Sequence, residues 1–175
     1  MSEDTASKKD TPGFAPENIA PEYERLMRRA TLAAVAVAVV LIATKGTVFW
    51  FTGSVAMLGT LTDSLLDGAA SLLNLFAVRA SLVPPDEEHR FGHGKAEALA
   101  GLGQSIFIFA SAGYITFEAV TRLIDPRPVE NSAAGIAVVV FAIVLTLALV
   151  AYQRHVVSRT RSVAIEADSI HYRGD

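Results

Sequence analysis

The sequence predicts an all-α membrane protein: a helical transmembrane bundle of four complete helices plus a truncated fifth. Three observations carry this. Hydrophobic residues make up 51% of the 175 residues and the mean hydropathy is +0.39, above the ordinary soluble range. The excess is gathered into blocks of about 20 residues, the length that crosses a bilayer at about 1.5 Å per residue. Turn-forming and charged stretches separate the blocks.

The elements follow in order. Residues 1–22 are polar, carry Lys8, Lys9, Pro12 and Pro16, and read as a disordered cytoplasmic tail rather than a cleavable signal, whose apolar core would come earlier. Residues 23–175 read as a partial transmembrane domain. The first span runs from Ala30 to Thr52, holds one charge, Lys45, and reaches Trp50 where an interfacial aromatic belongs. The second runs from Val55 to Ala80 and contains Asp63 and Asp67. The segment SLVPPDEEHRFGHGK at 81–95 is a polar loop with two helix-stopping prolines. The third span, Ala96 to Leu123, is rich in Gly, Ala and Ser, which let helix backbones approach closely in lipid. DPRPVENS is a turn, and Ala133 to Tyr152 is an uninterrupted fourth span. After the basic stretch QRHVVSRTR comes VAIEADSIHYRGD, whose 13 residues reach only roughly 20 Å. The expectation is a chain cut inside its fifth helix.

Lys and Arg set the orientation. Nine of them flank the N-terminus, the second-to-third connection and the fourth-to-fifth connection; Arg122 and Arg127 lie on the other side. That bias places the N-terminus and the histidine loop in the cytoplasm. There are no cysteines, which excludes disulfides, thiolate metal sites and cysteine nucleophiles. The net charge of -3 gives no footprint for nucleic acid.

Chemistry sits in two helical pairs. Asp63 and Asp67 are four apart and share a helix face, roughly 5–6 Å between Cβ atoms. An acid at mid-membrane costs about 2.5–3.5 kcal/mol, so a pair of like charges there requires a cation, water or protons. His171 and Asp175 are also four apart. Two helices each presenting two ligands close a four-coordinate site of three carboxylates and one imidazole, suited to Zn²⁺ or another first-row divalent ion. Because an imidazole must lose its proton to bind metal, the same set supplies a basis for exchanging metal for protons. Asp168, three before His171, fits either an acceptor that orients the imidazole or an interfacial acid. Asp86, His89 and His93 in the loop have spacing for a second metal site, against the alternative of ordinary loop histidines. His155 reads as an interfacial residue in a basic stretch.

The pair in LTDSLLDGAASL, the loop FGHGKAE and the motif ADSIHYRGD, in that order, resemble the cation diffusion facilitator family, and most its bacterial ferrous-iron/zinc efflux branch. The likeness covers nearly all of residues 22–175. It implies six transmembrane helices, a homodimer in the bacterial inner membrane, and a cytoplasmic C-terminal domain of ferredoxin-like fold. It also implies export of divalent metal (Zn²⁺ foremost, with Fe²⁺, Cd²⁺, Co²⁺ or Mn²⁺ as other cargoes) against protons, with no organic cofactor. By the resemblance Asp63, Asp67, His171 and Asp175 fall on the transport site, and Asp86, His89 and His93 on a loop site. This sequence departs from the pattern by ending at Asp175, without the sixth helix and the C-terminal domain. Two other readings remain open at this stage. One is an intramembrane aspartyl hydrolase using the two aspartates as acid and base. The other is a non-transporting adaptor whose acids only join helices.

Overall fold

A computed structural model describes residues 21–84, 93–124 and 133–174. They form five helices: α1 Pro21–Thr52, α2 Val55–Ser81, α3 Lys95–Ile124, α4 Ala133–Thr160 and α5 Val163–Gly174. There is no strand among the described residues. The first four helices are long and apolar enough to cross a bilayer. The chain is therefore an all-α multi-pass membrane bundle, as the apolar blocks predict.

Two helices outrun the spans read from hydropathy. α1 begins at Pro21 rather than Ala30, and α4 continues through QRHVVSRT to Thr160 rather than stopping at Tyr152. Hydropathy marks the part of a helix that lies in lipid, whereas the helix itself continues as long as local chemistry supports it. At the start of α1, proline stands in the first helical position, Glu22 and Glu24 complement the positive end of the dipole, and Glu24 pairs with Arg28 one turn on. Residues 1–20, the expected tail, lie outside the described residues.

The connections are short. α1 stops at Gly53, whose φ of 62° is left-handed, and its N–H donates to the Phe49 carbonyl at 2.8 Å. Between α4 and α5 the left-handed position is taken by Arg161, with φ 53° and its N–H on the Val157 carbonyl. A side chain there costs of order 1 kcal/mol or more, so the surrounding packing holds that tight turn in place.

The buried faces are built from small residues. Ala30, Ala34 and Ala38 recur every four residues along α1, and Ser64, Gly68 and Ser71 line α2. A Cβ placed on Gly68 would stand 3.2 Å from Ile42 Cδ1, so the Ile42 side chain of α1 packs directly on the bare backbone of α2 there. Large apolar side chains such as Phe109, Leu123 and Val144 point outward instead. In lipid that outward face is the favourable one.

One apolar layer fixes the topology. Met27 and Ala30 at the start of α1 pack with Val78 near the end of α2, Ala100 near the start of α3, Val156 near the end of α4, and Ala164 and Ile165 at the start of α5. These five helix ends therefore form one end of the bundle, called here the near end. α3 packs on α2 and α5, while α1 packs on α2 and α4. α5 is thus held between α3 and α4, with its C-terminal turn directed into the bundle against α2.

Candidate metal centre

α2 and α5 meet along three polar contacts. Deepest lies the one predicted to bind metal: His171 Nε2 stands 3.0 Å from Asp67 Oδ1. The histidine side chain is 2% exposed and the aspartate 13%. One turn towards the near end, Ser71 Oγ and Tyr172 Oη share a hydrogen bond of 2.8 Å. One turn further, Asn74 Nδ2 donates to the Ala164 carbonyl at 2.9 Å. Residues 67, 71, 74 and 78 form one stripe of α2, so a single helix face carries the whole α2–α5 contact.

Asp63, one turn towards the far end, does not touch His171 directly. It lines, with Asp67, a cavity of about 420 Å³ bounded by all five helices. Lys45 and Tyr172 share that wall. Lys45 reaches across from α1 and donates through Nζ to Ser64 Oγ at 2.7 Å and to the Thr60 carbonyl at 3.2 Å. A fixed ammonium therefore lines the same cavity as the two carboxylates, an opposite charge in a low-dielectric setting.

The donor geometry fits a small divalent ion. Bonds of about 2.0–2.2 Å from zinc to nitrogen and oxygen at a tetrahedral angle put two donor atoms about 3.3 Å apart. The Asp67–His171 pair at 3.0 Å needs to open by only about 0.3 Å to admit such an ion in place of the bridging proton. The donors are imidazole and carboxylate, the borderline set that first-row ions take.

Of the predicted site, Asp67 and His171 are in contact, Asp63 lines the same cavity, and Asp175 lies outside the described residues. Of the loop set, Asp86 and His89 lie outside them too; His93 stands two residues before α3. Among the described residues no group of three or more His, Asp or Glu stands together as a complete metal site; Asp67 and His171 meet as a pair. Asp168 is buried and accepts a hydrogen bond from Gln153 Nε2 at 2.5 Å. Sequence reasoning noted Lys45 only as the one charge of its span, and did not single out Ser71, Asn74, Gln104, Gln153 or Tyr172. The available signal was polarity at helical spacing inside apolar spans, as in Asp67, Ser71 and Asn74.

The profile of the cation efflux transmembrane domain matches residues 31–175. The chain is 53% identical over 154 residues to the cation-efflux pump FieF of Cronobacter sakazakii, an alignment covering 88% of this chain and 51% of that protein. It is 50% identical over 153 residues to the pumps of the same name from Klebsiella pneumoniae and Salmonella arizonae, covering 87% of this chain and 51% of each. The chain thus spans about half the length of the curated relatives it matches. An aspartate pair and a histidine helix meeting inside an apolar bundle, together with these likenesses, mean that the chain belongs to the cation diffusion facilitator family, a family of transporters, and carries its transmembrane domain.

Proposed function

We propose that this chain is the ion-carrying part of a pump that moves divalent metal cations out of the cytoplasm in exchange for protons. The observation that carries the reading is the buried contact between Asp67 and His171, 3.0 Å apart, at a cavity that also reaches Asp63. An acid and an imidazole so placed are ligands awaiting either protons or a metal ion, and each excludes the other. Asp175, one turn beyond His171, is the proposed fourth ligand. Zn²⁺ is the cargo best matched to three carboxylates and one imidazole. The relatives are named cation-efflux pumps, which supports export as the direction.

Alternating access supplies the mechanism: the ion binds between α2 and α5 near the midplane, and rigid-body rocking of the helices exposes it to one side and then the other. The Lys and Arg bias supports a cytoplasmic near end in a bacterial inner membrane. The proposed working form is a homodimer, with Asp86, His89 and His93 as an accessory cytoplasmic metal site.

The test is Asp67→Ala in the full-length parent, reconstituted in proteoliposomes with a pH-sensitive dye inside. Zinc-stimulated proton flux is expected to vanish. Flux equal to wild type would remove Asp67 from the transport site.

A further inference from the structure

Beneath the metal centre lies a second polar layer that the pump mechanism has not yet used. Four helices each contribute one buried side chain to it: Asn74 on α2, Gln104 on α3, Gln153 on α4 and Asp168 on α5, none more than 2% exposed. Each stands about one helical turn from a member of the apolar layer at the near end: Asn74 from Val78, Gln104 from Ala100, Gln153 from Val156 and Asp168 from Ala164. The polar layer therefore lies between that apolar layer and the Asp67–His171 pair. The cavity at Asp63 and Asp67 is on the opposite side of the pair and has none of these four residues in its wall.

The layer is only partly bonded, with the Asn74 side chain as well as Gln153 close to Asp168. Gln153 Nε2 donates to Asp168 Oδ2 and Asn74 Nδ2 to the Ala164 carbonyl. Asn74 Oδ1, Gln153 Oε1 and Asp168 Oδ1 then have no hydrogen-bond partner among the described residues, and neither does either polar atom of Gln104. Unpaired polar atoms so deep in a membrane bundle are costly. Four of the five are acceptor oxygens, one of them on a carboxylate. Such a set calls for something that brings many outward O–H donors and positive charge together. A bare Zn²⁺ ion takes four close ligands drawn from thiolate, imidazole and carboxylate, and this layer offers one carboxylate among carboxamides. A divalent ion still wearing its water shell presents the donors and the charge that these oxygens lack.

We propose that Asn74, Gln104, Gln153 and Asp168 form a transit site that holds the divalent cation through its water shell between the near end of the bundle and the Asp67–His171 pair. The site rests on the transport reading above and adds a step to it. The ion enters hydrated when the apolar layer parts, is held by outer-sphere hydrogen bonds, and sheds water as Asp67 and His171 take it. Dehydration is thereby divided between two places instead of falling entirely on the final ligands.

The experiment compares the full-length parent with Asp168→Asn, with Asn74→Leu/Gln153→Met, and with Asp67→Ala. Initial zinc flux into proteoliposomes is read over a range of zinc concentrations, beside equilibrium zinc binding in detergent. Both layer variants are expected to raise the KM for zinc at least tenfold while equilibrium zinc affinity changes less than threefold. Retained affinity also shows that the fold has survived, and Asp168→Glu is expected to recover part of the loss. Wild-type KM in both layer variants overturns the transit site. So does a parallel fall of affinity and flux, which is the mark of a purely structural layer. Asp67→Ala separates this from the parent reading: wild-type flux in that variant refutes the transport site itself, whereas lost flux there with intact layer variants refutes the transit site alone.

Discussion

Replacing Asp67 with asparagine separates the two roles of its carboxylate. Asparagine keeps an oxygen where Oδ1 stands, 3.0 Å from His171 Nε2, so the α2–α5 contact survives as a neutral hydrogen bond. A hydrogen bond to a charged group contributes about 1.5–3 kcal/mol and a neutral one about 0.5–1.5 kcal/mol, so the metal-free protein should lose about 1 kcal/mol. For a chain of this size that is a fall in Tm of about 2–4 °C. Metal binding responds differently, because one charged ligand becomes a neutral one. A loss of 100-fold in affinity corresponds to about 2.7 kcal/mol. At zinc equal to 100 times the wild-type Kd, wild type gains about 2.7 kcal/mol from binding, whereas the variant, then at its own Kd, gains about 0.4 kcal/mol. Thermal melting of the full-length parent with and without zinc reads this directly. Wild type is expected to rise by about 5–10 °C and Asp67→Asn by about 1 °C. Zinc bound elsewhere on the protein stabilises both alike, so the difference is the readout. An equal rise in both proteins would refute the ligand role. A metal-free variant that melts tens of degrees lower would show that the carboxylate chiefly holds α2 to α5.

Two further outcomes test the same helix pair. His171→Asp replaces the imidazole with a harder oxygen donor and is expected to move the Zn/Mn transport ratio of the full-length parent towards Mn²⁺; an unaltered ratio would count against His171 as a ligand. Ser71→Ala and Tyr172→Phe, singly and together, are expected to show a coupling energy of about 0.6–1.7 kcal/mol in a double-mutant cycle of unfolding, the range for interhelical hydrogen bonds in membranes, whereas additive effects would mean that the 2.8 Å contact contributes nothing.

Much of this was legible in the sequence because lipid simplifies the code. Apolar length located all four spans, and an acid pair at four-residue spacing inside one of them had few structural explanations. The pairing of α2 with α5 was legible as a chemical demand, since His171, four before Asp175, offered an imidazole and an acid on one face of a second helix. The register was not. Whether Asp63 or Asp67 meets the histidine depends on how α2 slides against α5, and that register goes with the Ser71–Tyr172 and Asn74–Ala164 contacts, which only the folded bundle shows. Asp168 was ambiguous for a related reason. Its spacing from His171 permits several partners, and Gln153 on α4 became its donor only once α4 and α5 folded back over the Arg161 turn. Lys45 was visible as the lone charge of its span, but its link to Ser64 and its place beside the acids are properties of the α1–α2 contact.

The layering suggests why charge is tolerable here at all. Moving from the near end inwards, the bundle presents an apolar layer, then a carboxamide and carboxylate layer, then Asp67 with His171, then Asp63 beside Lys45 at the cavity. Within this sequence the two acids are never left to face lipid alone. Asp67 has a protonatable partner, and Asp63 shares its cavity with a fixed cation. On the proposed reading, a divalent ion bound at Asp67 and His171 would meet the Lys45 ammonium on the same cavity wall as an opposing charge. The same lysine that offsets acidic charge at the cavity would therefore, if the proposed site holds, also weaken the grip of that site on a bound cation.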